Sequence, residues 1–193
     1  MDTQKNIRAF LAIEPPEEVL QAVDLLQEKL KKEIKGKISW TKSQGNHITL
    51  KFFGNIDQDD VKNICAIMKK QVASVPALSL NVEKIGVFPD VRRPRVLWLG
   101  ATGDVEKLTA LQIRMERDFE GIGFPRENRS FSAHLTLGRI KIPQEIVGIS
   151  EALHKYNDFI VGKFNCSEII LFQSKLTKQG AIYTKLEKFY FSG

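Results

Sequence analysis

One supersecondary unit occurs twice along this chain, and that repetition constrains the fold more than any other feature. A strand-like run opening at Ile7 (IRAFLAI) leads through a helical stretch to a second strand carrying His47-Ile48-Thr49-Leu50. A second run opening at Arg95 leads through another helical stretch to His134-Leu135-Thr136-Leu137. The two intervals agree to within one residue. Two such units facing each other predict an α+β fold that is bilobed, with two antiparallel-rich sheets, helices on the outer faces, a pseudo-two-fold internal repeat and a central cleft. The expected organisation is a single bilobed domain over 1–193, with repeat units of about 7–88 and 95–191.

Periodicity places the elements. Val19, Val23, Leu26, Leu30 and Ile34 recur at helical spacing, as do Val61, Ile64, Met68 and Val72, and then Val105, Leu108, Leu111, Met115, Phe119 and Ile122. Asp57 and Asp104 stand where N-caps of the second and third helices belong, and Pro15-Pro16 precedes the first. Strand-like runs cover 7–13, 38–41, 47–53, 78–88, 95–101, 131–140, 159–172 and 181–191. Pro89 to Pro94 reads as a turn, and Gln179-Gly180 as the turn of the last hairpin. Cys65 and Cys166 have no CxxC spacing and read as reduced, inert core thiols. The apolar run Ile7 to Ile13 contains Arg8 and stops at Glu14, too short for a membrane span or a signal-peptide core, so the expected compartment is cytoplasmic. Formal net charge is +6, a field that favours an anionic partner such as nucleic acid or a nucleotide.

Two of the three histidines open the same aliphatic-Thr-aliphatic tetrapeptide. In a strand, residues i and i+2 share a face, so His47 and Thr49 point together, as do His134 and Thr136. Ile48, Leu50, Leu135 and Leu137 then anchor the strands from the other side. Two imidazoles that titrate near neutrality can divide acid and base work across a phosphodiester, while neutral hydroxyls stabilise charge on the non-bridging oxygens. A buried, hydrogen-bonded histidine explains either motif alone but not the duplication. Neither motif carries a carboxylate or thiol, no HExxH occurs, and no GxSxG elbow occurs, so the expectation is no metal and no Ser-His-Asp triad. His154, in EALHKY, reads as an ordinary surface residue.

The paired motifs, the opening R-x-F-x-A-I strand (Arg8 to Ile13) and the closing hairpin (EIILFQSKL and YTKLEKF) resemble the RNA 2',3'-cyclic phosphodiesterases, also called 2'-5' RNA ligases, of the two-histidine phosphoesterase superfamily. That resemblance implies hydrolysis of a terminal 2',3'-cyclic phosphate on RNA to a 2'-phosphate, without metal or other cofactor. It also implies reversible 2'-5' ligation by the same chemistry. It makes His47 and His134 catalytic, with His47 as proton donor to the leaving 3' oxygen and His134 as the base that activates water. Thr49 and Thr136 become substrate-binding residues. Arg139 follows the second motif as a candidate phosphate ligand, although strict alternation turns it away from His134 unless a bulge near Gly138 intervenes. If the first strand keeps its alternation, Lys51 and Phe53 share the His47 face and are candidates for phosphate and base; an exposed Lys and a packing Phe are the competing reading. Arg92, Arg93 and Arg95 form a basic loop that could guide an RNA backbone, and Phe10 either stacks on a base or belongs to the core. The expected partner is RNA with cyclic phosphate ends or related nucleotides, with no membrane and no obligate protein partner. Two alternatives stand beside this: the same site acting on small nucleotides, and a non-catalytic RNA- or nucleotide-binding module.

Overall fold

The computed structural model describes residues 6–42, 45–178 and 180–192. Along the chain run β1 (Ile7–Ile13), α1 (Glu17–Glu33), β2 (Ile38–Trp40), β3 (Ile48–Ile56), α2 (Gln58–Val72), β4 (Leu78–Phe88), β5 (Val96–Gly103) and α3 (Val105–Glu120). They are followed by β6 (His134–Ile140), α4 (Ile149–Lys155), β7 (Ile160–Cys166), β8 (Glu168–Thr177) and β9 (Gly180–Tyr190). The architecture is α+β with two antiparallel sheets, one ordered β3-β1-β8-β9 and the other β2-β6-β5-β4-β7.

Neither repeat unit closes a lobe by itself. β1 and β3 of the first unit belong to the four-stranded sheet, while β2 and β4 belong to the five-stranded one. The helices are exchanged as well. α1 packs on the five-stranded sheet, where Val19 lies so close to Gly162 of β7 that a Cβ there would approach its Cγ2 to 3.0 Å. α3 packs behind the four-stranded sheet, where Phe119 meets the Phe53 ring edge-on at 5.0 Å. Each strand–helix–strand unit thus starts in one lobe and sends its helix to the other. The exchange also explains why the run 159–172 is two strands rather than one: the chain leaves the five-stranded sheet at Cys166 and joins the other at Glu168.

Most apolar side chains form one continuous core that includes the inward stripes of α1, α2 and α3. β1 is buried on both faces, as a near-continuous apolar run requires: Ala9, Leu11 and Ile13 join that core, while Phe10 and Ala12 pack with Ile170 and Phe172 in a second, smaller cluster. Asp57 caps α2 with a reciprocal box, accepting from the Asp59 and Asp60 N–H groups at 2.9 Å each while its own N–H reaches the Asp60 carboxylate. Asp104 stands at the N-cap of α3 but does not cap it; its carboxylate accepts from the Ser79 N–H at 2.9 Å and pairs with Lys107. The short α4 leaves no periodic trace in the sequence. Gly180 opens β9 at φ +128°, and Gln179 lies outside the described residues. Cys65 and Cys166 are free thiols; burial pushes the Cys166 thiol up to about 12, so it stays protonated and inert. No described helix is long and apolar enough to cross a membrane.

Candidate active site

The two motif strands, β3 and β6, approach each other where the sheets meet. Beside them opens a cavity of about 860 Å³ walled by Thr49 and Phe52 from β3 and by His134, Thr136 and Arg139 from β6. Arg95 and Arg129 complete its basic side.

A β-bulge at the same place in each motif decides which side chains face this space. On β3, Thr49 lies opposite Ala12 and Lys51 opposite Leu11, so Leu50 is the extra residue. On β6, Thr136 lies opposite Trp98 and Gly138 opposite Leu97, so Leu137 is the extra residue. Directly paired residues of antiparallel strands share a face. The Leu137 bulge therefore returns Arg139, paired with Val96, to the face of His134 and Thr136, as Gly138 allowed. A Cβ at Gly138 would sit 2.8 Å from Ile38 Cγ2, so the backbone of β2 can approach here only because no side chain intervenes.

The bulge at Leu50 overturns the expectation that Lys51 and Phe53 share the His47 face. Past the extra residue, Lys51 follows Leu11 to the far side, where its ammonium donates to Glu116 at 2.7 Å and to the Pro125 carbonyl at 2.5 Å. Lys51 still borders the cavity, but its charge is committed and its side chain is 3% exposed. Phe53 packs against Phe119 and Phe124. The residue that reaches the cleft is Phe52, stacked on Phe10 at 5.2 Å and 45% exposed. Phe52 and Arg139 occupy the same position relative to their histidines, a signal that comparing the two tetrapeptides two residues further would have shown.

The two imidazoles are held alike. His47 Nδ1 lies 2.8 Å from the Gly45 carbonyl and His134 Nδ1 lies 2.7 Å from the Ser132 carbonyl, in each case two residues upstream. A carbonyl only accepts, so each Nδ1 carries the proton and each Nε2 is left as the working nitrogen. Aromatic rings fix the planes: His47 stacks on Phe10 at 4.6 Å with Tyr183 edge-on at 5.2 Å, and His134 meets Phe88 edge-on at 5.1 Å. Phe10 is thus a platform for the histidine. His47 lies outside the walls of the 860 Å³ cavity, but it stacks on Phe10, the same ring on which the wall residue Phe52 stacks.

Burial pushes His47 down to about 4, against the opposing pull of the Gly45 carbonyl and the Glu14 carboxylate, while a charge on His134 lowers it further. Burial also lowers His134, with the Ser132 carbonyl opposing and the Arg139 guanidinium adding to the effect. Both rings are therefore neutral near pH 7 in the free protein. Among the described residues, the Thr49 and Thr136 hydroxyls have no hydrogen-bond partner, and Arg95, Arg129 and Arg139 have no carboxylate partner. Arg92 and Arg93 stay in the exposed loop, where their N–H groups bond the Asp90 carboxylate. No three His, Cys, Asp or Glu side chains among the described residues gather closely enough to hold a metal ion.

One imidazole, two unpartnered hydroxyls and three guanidiniums without carboxylate partners line this cavity, and the second imidazole stands beside it on Phe10. The chain matches the LigT-like phosphoesterases over residues 13–98 and 100–183, and it belongs to that family. Among its relatives, the RNA 2',3'-cyclic phosphodiesterase of Aquifex aeolicus is 33% identical, covering 98% of this chain and 100% of that protein. The RNA 2',3'-cyclic phosphodiesterase of Methanothermobacter thermautotrophicus is 32% identical, covering 95% and 98%. The same fold occurs in a protein of Thermus thermophilus (TM-score 0.78, 23% identity, covering 96% and 98%) and in E. coli LigT complexed with 3'-AMP (TM-score 0.76, 20% identity, covering 98% and 100%).

Proposed function

We propose that this protein hydrolyses the terminal 2',3'-cyclic phosphate of RNA to a 2'-phosphate by metal-independent general acid–base catalysis. The observation that carries the reading is the matched pair of imidazoles, each tied through Nδ1 to its own strand's carbonyl so that Nε2 is free for proton transfer. His134 Nε2 takes a proton from water as the water oxygen bonds to phosphorus; the bond from phosphorus to O3' breaks, and protonated His47 gives its proton to O3'. Thr49 and Thr136 donate to the non-bridging oxygens, and Arg139 balances their charge. With a 5'-hydroxyl in place of water, the bond from O5' to phosphorus forms as the bond to O3' breaks, which makes a 2'-5' linkage; in reverse, O3' attacks phosphorus and O5' leaves with a proton, which breaks it. The names of the relatives support cyclic phosphate on RNA as the substrate.

The direct test is an end-group assay with a 2',3'-cyclic phosphate oligonucleotide in EDTA, identifying the product isomer. The expected product is the 2'-phosphate at an undiminished rate. A 3'-phosphate product, loss of turnover in EDTA, or no turnover at all overturns the reading. A cyclic mononucleotide run in parallel separates RNA from small-nucleotide specificity.

The site's electrostatics and donors lead to two further expectations. Free His47 titrates near 4, so its protonated fraction falls as pH rises through neutrality; a bound phosphate anion favours the charged ring and raises that pKa. The acid must be protonated, so kcat/KM, which reports the free enzyme, declines with rising pH at lower pH than kcat does. Coincident profiles would remove His47 as the acid. Thr49→Val or Thr136→Val, each deleting one donor to phosphate oxygens, lowers kcat by about 10–10³-fold with the melting temperature little changed.

A further inference from the structure

Among the described residues only six polar or charged side chains are buried, and two of them are glutamines on the inward faces of α1 and α3. Gln27 stands among Val23, Leu26 and Leu30, and Gln112 among Leu108, Leu111 and Met115. An amide in such a stripe costs stability unless its hydrogen bonds are made, so each must have a purpose there. Gln27 Nε2 donates at 2.9 Å to the carbonyl of Leu137 and at 2.9 Å to that of Thr41. Gln112 Nε2 donates at 3.2 Å to the carbonyl of Leu50 and at 3.1 Å to Glu116. Leu137 and Leu50 are the extra residues of the two bulges.

The correspondence runs across the exchanged lobes. The helix of the first unit holds the bulge of the second motif, and the helix of the second unit holds the bulge of the first. A bulge residue interrupts the regular ladder and tilts its carbonyl out of register, so a donor from the packed helix can decide whether the strand keeps its extra residue or relaxes toward plain alternation. At β6 the regular pairing with β2 ends at Trp40 and Gly138; the Thr41 N–H then bonds the Leu137 carbonyl, and Gln27 bridges the Thr41 and Leu137 carbonyls together. The sequence carries the same echo, Leu26-Gln27 and Leu111-Gln112, each ahead of its unit's histidine by nearly the same interval.

We infer that Gln27 and Gln112 are positioning residues that lock the bulges behind the two histidine motifs, and thereby hold Arg139 and Phe52 on the face that receives the substrate. The inference rests on the phosphodiesterase reading above. Gln27 does not line the cavity and acts through Arg139; Gln112 borders the cavity behind Leu50, with its amide donating to the Leu50 and Glu116 oxygens, and acts through Phe52. A merely structural glutamine lowers stability without changing what Arg139 contributes.

The test is a double-mutant cycle on kcat/KM for the cyclic phosphate oligonucleotide, using Gln27→Met, Arg139→Ala and the two combined. Arg139→Ala is expected to lower kcat/KM by about 10–10²-fold, and Gln27→Met by a similar factor. The combination should fall within about threefold of Arg139→Ala alone, because the arginine is already lost from the face. A parallel cycle pairs Gln112→Met with Phe52→Ala. Multiplicative losses, or a Gln27→Met enzyme in which Arg139→Ala still costs its full factor, overturn the inference while leaving the phosphodiesterase reading intact. Wild-type protein without turnover overturns that reading instead, and the same cycle read on inorganic phosphate affinity then decides the positioning role. Should a methionine variant fail to fold, Gln27→Leu or Gln112→Leu, which removes the donor with a shorter apolar side chain, serves in the same cycle.

Discussion

His134→Ala and His47→Ala each lower kcat on the cyclic phosphate oligonucleotide by about 10²–10⁴-fold, the range lost with a well-placed general acid or base. The mechanism asks for both proton transfers in one displacement, so the His47→Ala/His134→Ala double variant is expected to lie close to the weaker single variant rather than at the product of the two losses. Folding should survive each change. Both rings are only partly buried, and the Gly45 and Ser132 carbonyls they release can turn to water. Steady-state kinetics with unchanged circular dichroism provides the measurement. A single variant that keeps more than about a tenth of wild-type kcat would remove that histidine from the chemistry.

How much of such a site is legible in the chain depends on which interactions have a period. The stripes Val23, Leu26, Leu30 and Leu108, Leu111, Met115 mark their helices because burial recurs with the helical turn, and those residues are buried. The pairing of His with Thr two residues on is likewise a property of a strand's own geometry. A bulge has no period. One extra residue at Leu50 sends Lys51 and Phe53 away from the cleft and brings Phe52 into it, whereas the same extra residue at Leu137 brings Arg139 in. Gly138 is a local sign of the second bulge; nothing comparable marks the first. The exchange of helices between lobes is equally hidden, since α1 could as readily cover the sheet of β1 by its own amphipathic pattern. Asp104 illustrates the limit of a cap rule. The residue type and position suit a cap, but the Ser79 N–H of the neighbouring strand competes for the carboxylate and wins. The α4 segment is too short to show a stripe at all.

Lys51 holds the second large effect, on stability rather than on chemistry. Its ammonium and the Glu116 carboxylate are 3% and 8% exposed, and the carboxylate also accepts from Gln112 and from the Glu127 N–H. The pair therefore ties three pieces together: the strand that carries the first motif, helix α3, and the rim segment from Pro125 to Arg129 that supplies Arg129 to the cavity. Lys51→Met leaves Glu116 buried without its counter-ion, and breaking such a pair from one side costs about 3–5 kcal/mol, more than the attraction alone is worth, because the stranded charge must be dehydrated or neutralised. Urea unfolding should show that loss as a lower midpoint at unchanged slope. Removing both charges in Lys51→Met/Glu116→Leu should restore part of the stability, since no ion is then stranded, although the Pro125 carbonyl and the Glu127 N–H lose their partners. The rim is where the two variants agree: in both, amide hydrogen exchange across 125–129 should quicken relative to wild type, because the contact anchoring that segment is gone. A Lys51→Met protein that loses less than about 1 kcal/mol would mean that Glu116 finds water or a proton without cost, and that the rim is held by its other contacts.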